Sequence, residues 1–195
     1  RYLPLGAAAL AGTHLTLDFN LLCELTGFQQ PCRNSYDAVG DREFVMDFCD
    51  AFSSIAVHLS RISEDFIVWA SAPWGLAKLP VDWSTGSSIM PNKRNPDVCE
   101  LARGKSAHII SHANAIRVMM KALPTCYGSD LHESKRVFMA CFDQLEGILR
   151  VFPSFCSALA FNEERANAIL RQGHILATEI ANQLCESGHS FRDAY

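Results

Sequence analysis

Seven intervals of three or four residues separate Phe44, Phe48, Phe52, Ile55, Leu59, Ile62, Phe66 and Trp69, with no glycine or proline between them. At that spacing side chains return to one face of an α-helix, so the pattern predicts one amphipathic helix over residues 41–70. At about 1.5 Å per residue it would be about 45 Å long, which suits an elongated helical bundle better than a compact α/β domain. A second helix is predicted to start at Pro96, with Asn95 as its cap and proline at the first helical position. Val98, Leu101, Ala102, Ile109, Ala113, Ile116 and Met120 form its apolar face, and it ends before Pro124. A third helix begins near Ser129 or Asp130, with Phe138, Phe142, Leu145, Leu149, Phe152, Cys156 and Leu159 as its stripe. Pro153 is expected to kink it.

The flanks are more broken. Turn formers at Pro4, Gly6, Gly12, Gly27, Pro31 and Gly40 punctuate residues 1–40 and leave room for a short helix from Leu15 to Leu25. Near the end, Asn162 caps a helix over 163–171 that stops at Gly173, and another over 175–186 stops at Gly188. No alternating strand pattern, internal repeat or low-complexity segment interrupts this organisation. The expected fold class is all-α: an elongated bundle over residues 1–160, followed by the start of a small helical C-terminal domain over 161–195.

Composition adds exclusions. The 195 residues are 49% hydrophobic and 19% charged, with a net charge of −4, the mix of a soluble globular protein without the clustered basic surplus that nucleic-acid binding needs. No run of about 18 apolar residues is present, so no membrane span is expected. The opening Arg1-Tyr2-Leu3-Pro4 lacks the charged start and apolar stretch of a signal peptide. It also lacks an initiator Met, and the chain is expected to be an excerpt of a longer protein. Eight scattered cysteines, none in a C-x-x-C pair and most within apolar helical patterns, read as buried reduced thiols of a cytosolic protein.

The connector over residues 84–95 concentrates the candidate chemistry. It offers adjacent hydroxyls at Ser87 and Ser88, a cation at Lys93, an amide at Asn95, and a helix N-terminus immediately after. Lysine and the unpaired N–H groups of a first helical turn attract anions, so a serine alkoxide, or a carboxylate gaining charge during a reaction, would be stabilised there. A flexible surface loop with ordinary capping explains the same residues, and spacing alone does not separate the two. His108 and His112 share a helix face at i, i+4, but no acidic third ligand is nearby and Lys105 crowds that face, so no metal site is expected.

Gly86-Ser87-Ser88-x-Met90-Pro91-x-Lys93-x-Asn95 fixes seven of ten positions in a pattern that resembles G-S-S-x-M-P-x-K-x-N of the fumarase/aspartase superfamily. Further segments resemble the argininosuccinate lyase family, which also includes delta-crystallin. They are Pro4-Leu5-Gly6 with Ala9-Leu10-Ala11-Gly12-Thr13, Asn34-Ser35-x-Asp37-Ala38-Val39-x-Asp41-Arg42, His58-Leu59-Ser60-Arg61, Tyr127 with Asp130-Leu131-x-Glu133-x-Lys135, and Gly188-x-x-Phe191-Arg192-x-Ala194. The resemblance spans the whole chain and corresponds to the second half of a typical member. It places residues 1–160 in the superfamily's central helical domain.

The resemblance implies β-elimination of argininosuccinate to arginine and fumarate, without a cofactor, in a cytoplasmic homotetramer with active sites shared among subunits. Ser87 maps to the proposed general base that removes a Cβ proton. Lys93 and Asn95, with Ser88, would hold the carboxylate beside that carbon, and Glu100 matches the carboxylate that orients a catalytic histidine outside this chain. Arg42, Tyr127, His132 and Lys135 match positions that contact substrate. His132 stands where the family usually has Gln, Ser134 where it has Asp, Ala8 where it has Gly, and Phe19 where it has Arg. Another fumarate-releasing lyase of the superfamily, or a non-catalytic crystallin-like paralogue, are the alternatives. Residues 1–195 expressed alone are expected to show no lyase activity, and detectable turnover by the pure fragment would contradict this.

Overall fold

The computed structural model describes residues 2–195. Among them three long helices dominate: α3 over Glu43–Ala70, α4 over Asp97–Met120 and α5 over Glu133–Ala158. Two short helices precede them, α1 over Phe19–Thr26 and α2 over Ser35–Gly40, and three follow, α6 over Glu163–Leu170, α7 over Ala177–Glu186 and α8 over Phe191–Ala194. The all-α expectation holds.

Local chemistry explains where the boundaries moved. Asp18 accepts from Leu21 N and Gly27 closes the helix at φ 76°, so α1 begins at Phe19 rather than Leu15. Asn34 accepts from Tyr36 N and Asp37 N to start α2. Asp41 ends α2 and then accepts from Glu43 N at 2.6 Å, which delays α3 to Glu43. Glu100 N donates to Pro96 O, so the first bond of α4 is accepted by Pro96, and Asn95 does not cap the helix as expected. A 3-10 turn over Ser129–His132 leads into α5, which continues through Pro153. Asn162 accepts from Arg165 N, as the sequence predicted.

Four two-residue strands correct the expectation of none. Tyr2–Leu3 pairs in parallel with Gln30–Pro31, and Ala77–Lys78 pairs antiparallel with Ala160–Phe161. Two residues cannot show a period-2 pattern, so these pairings had no sequence signature.

The chain forms two compact units, and the boundary falls within each long helix. One holds the described residues up to Ile62 together with Leu101–Val151, and the other holds Ser63–Glu100 with Phe152–Tyr195. In the first, Phe48, Phe52, Phe138 and Phe142 form an aromatic cluster with centroids about 6 Å apart. In the second, Phe66 meets Phe152 and Phe155, and Trp69 meets Phe161.

The buried seam differs from the predicted stripes. On α3 the buried positions are Val45, Cys49, Ala56, Ser63 and Phe66, whereas Phe44 and Phe48 are more than half exposed. On α4 they are Cys99, Ala102, Ser106, Ile109, Ala113 and Ile116; on α5, Ser134, Cys141, Leu145, Ile148, Phe152 and Phe155. The buried positions recur at steps of three, four and seven, and they mix small residues with large ones such as Ile109, Ile116 and Phe155, each 0% exposed. Cysteine serves here as a small apolar filler. None of the eight is in a disulfide, and Cys23, Cys49, Cys99 and Cys141 are buried. Burial, reinforced by the neighbouring Cys49 thiol, pushes the Cys141 thiol up to about 12, so it stays protonated and donates to Ile109 O.

Gly40 shows how tightly one connector is held. A Cβ there would sit 2.8 Å from Thr125 O and 3.1 Å from the carbonyl carbon of Cys126. Both are backbone atoms, so the chain itself must shift. Gly40→Ala in the intact protein is expected to cost about 1–3 kcal/mol. Chemical denaturation would check this, and an unchanged midpoint would contradict it.

Candidate active site

The loop between Ser84 and Pro96 has a pinned neck and an open tip. At the neck Thr85 and Asn95 pair antiparallel, with Asn95 N donating to Thr85 O at 2.8 Å. The Asn95 amide donates to Gly86 O at 3.3 Å. Asp97, in the first turn of α4, accepts from both Thr85 N at 2.7 Å and Thr85 Oγ at 2.5 Å. This carboxylate ties the loop entrance to the helix start, a tie that the sequence reading missed because twelve residues separate the partners.

Inside the neck, Ser87 Oγ accepts from Ile89 N at 3.2 Å and Met90 N at 3.1 Å. Two N–H dipoles aimed at one hydroxyl oxygen would stabilise negative charge on it. They also form an ordinary serine turn. Ser87 and Asn95 are half-buried, while Ser88, Lys93 and Glu100 are exposed, and Ile89 stands 86% exposed at the tip. Lys93 N closes the tip on Met90 O at 3.1 Å.

The other expected residues lie in the first unit. Arg42 is half-buried, and its guanidinium donates to Val39 O and Asp41 O, so it caps the end of α2. The Tyr127 hydroxyl meets His132 Nε2, with the rings edge-on at 5.9 Å and 76°. Tyr36, unmarked by the sequence reading, bonds to the Cys126 thiol, which raises the phenol above its ordinary range. Lys135 is exposed in the first turn of α5. Ser134 is buried and donates to Leu131 O at 2.6 Å. His112 Nδ1 lies 2.7 Å from His108 O, and no group of three potential metal ligands occurs among the described residues. Among them, too, no helix is long and apolar enough to cross a membrane.

A family model described as lyase matches residues 1–111, more than half of the chain. The chain belongs to this lyase family. The matched segment contains Arg42, Ser87, Ser88, Lys93, Asn95 and Glu100, and ends before Tyr127, His132 and Lys135. Argininosuccinate lyases of Thermosynechococcus vestitus and Psychrobacter arcticus are 45% and 42% identical to the chain over 193 residues. These alignments cover 98% and 99% of the chain but 42% of each relative, so the chain spans well under half their length. Among solved structures, EDDS lyase in complex with formate is similar at a TM-score of 0.78 and 25% identity, over 99% of this chain and 38% of that one. A class II fumarase from Schistosoma mansoni shares the fold at a TM-score of 0.72 and 19% identity, over 99% and 48%. The chain therefore carries part of the fold of these lyases.

Proposed function

We propose that the intact protein containing this chain is an argininosuccinate lyase, cleaving argininosuccinate to arginine and fumarate. The observation that carries the reading is Ser87, whose Oγ accepts two backbone N–H groups within the pinned loop. A serine removes a carbon-bound proton only if its alkoxide is stabilised, and those two dipoles with Lys93 favour the charged form. Ser87 takes the Cβ proton, charge spreads into the adjacent carboxylate, and the C–N bond breaks as the leaving nitrogen is protonated. Lys93, Asn95 and Ser88 hold that carboxylate, and their grip strengthens towards the transition state. Glu100 orients a histidine supplied from outside this chain.

Arg42, Tyr127, His132 and Lys135 serve substrate binding, since cations and hydroxyl donors suit a dicarboxylate. The reading further includes a cytoplasmic homotetramer with shared sites, so the two sets of residues in one chain need not serve the same substrate molecule. It requires no cofactor. It also places the start of a small C-terminal domain at residue 161. Argininosuccinate is favoured over other fumarate-yielding substrates by the 45% identity to a protein of that name, against 25% to EDDS lyase.

Ser87→Ala in the intact protein is expected to lower kcat for fumarate release at least about 10²-fold, with KM little changed. Release followed by the ultraviolet absorbance of fumarate checks this. Retention of most of the wild-type kcat would remove Ser87 as the base.

A further inference from the structure

The Tyr127–His132 contact carries an inference that rests on the reading of Tyr127 as a substrate-binding residue. Both partners are held by their backbones. Tyr127 follows Thr125 and Cys126, the residues against which Gly40 packs too closely for a Cβ, and Cys126 is bonded to Tyr36 from α2. His132 ends the 3-10 turn whose Leu131 is 2% exposed. Ser134 Oγ donates to Leu131 O, and Glu133 N donates to the carbonyls of Asp130 and Leu131. The two rings, carried by these held segments, meet edge-on.

A phenol has one proton and two lone pairs. If His132 Nε2 is bare, the Tyr127 O–H donates to it and offers only lone pairs to a ligand, which repel a carboxylate. If Nε2 carries the proton, it donates to the phenol oxygen and the O–H is released outward as a donor. That second arrangement also polarises the hydroxyl in the direction an anion needs. We propose that His132 is a positioning residue, whose Nε2–H fixes the Tyr127 hydroxyl as a hydrogen-bond donor to a carboxylate of the substrate. In this arrangement His132 makes its contribution to substrate binding through Tyr127. A glutamine side chain, which carries an N–H donor of similar reach, could do the same.

A double-mutant cycle on the intact protein tests this through fumarate release from argininosuccinate. His132→Ala and Tyr127→Phe are each expected to raise KM about tenfold with kcat within about twofold. The double variant is expected to be no worse than the poorer single variant, and His132→Gln to stay within about threefold of wild type. Multiplicative effects in the double variant, an unchanged KM in His132→Ala, or a His132→Gln as poor as His132→Ala would overturn the proposal. If the unmodified protein releases no fumarate, the proposed function fails and the inference is read separately. Long-range ¹H–¹⁵N spectra of the intact protein with fumarate as the anionic probe then report on His132. A protonated Nε2 whose resonance moves in Tyr127→Phe supports the inference, and a bare or unmoved Nε2 overturns it.

Discussion

Burial of one face of each long helix is the constraint from which the structure follows. Cys49, Ala56 and Ser63 on α3, Cys99, Ile109 and Ile116 on α4, and Cys141 and Phe155 on α5 are each 0% exposed. Dispersion and hydrophobic burial at these positions hold each helical segment within the unit it belongs to. The candidate residues sit where these held helices begin. Arg42 precedes α3, the Ser87 loop and Glu100 stand at the start of α4, and Tyr127, His132 and Lys135 surround the start of α5. Helix starts present unpaired N–H groups and the positive end of the helix dipole, which attract anions.

The two groups of residues are built differently. In the 84–96 loop the backbone is tied at the neck by Asn95 and Asp97, while Lys93 and Ser88 remain exposed at the tip. That combination ties the loop at its two ends and leaves the side chains at its tip open to solvent. Around Tyr127 the polar groups already engage one another: Tyr36 with Cys126, Tyr127 with His132, and Arg42 with the end of α2. A guanidinium with two carbonyl partners is oriented in advance, which lowers the entropic cost of binding but leaves it fewer donors for substrate.

Much of this was legible in the residues. Helical periodicity foretold three long helices, since it survives over twenty or more residues whichever face is buried. It did not tell which face that was. Phe44 and Phe48 belong to the predicted stripe and are exposed, because counting large apolar residues overlooks small buried ones such as Cys49, Ala56 and Ser63. The two-residue strands were too short to leave a pattern. Ser87, Lys93 and Asn95 were found through a motif, whereas Thr85 with Asp97, and Tyr36 with Cys126, join residues far apart in sequence and carry no local signal. Gly40 was visible only as a turn former; its true constraint is the backbone packed against it.

In the proposed function Ser87 faces the reacting carbon of a substrate whose carboxylate is held by Lys93 and Asn95. A crystal structure of the intact protein with fumarate bound tests this most directly. The account predicts a fumarate carboxylate within hydrogen-bond reach of Lys93 Nζ and Asn95 Nδ2, with an alkene carbon against Ser87 Oγ. Fumarate bound elsewhere, with Ser87 Oγ still engaged only by Ile89 N and Met90 N, would contradict it.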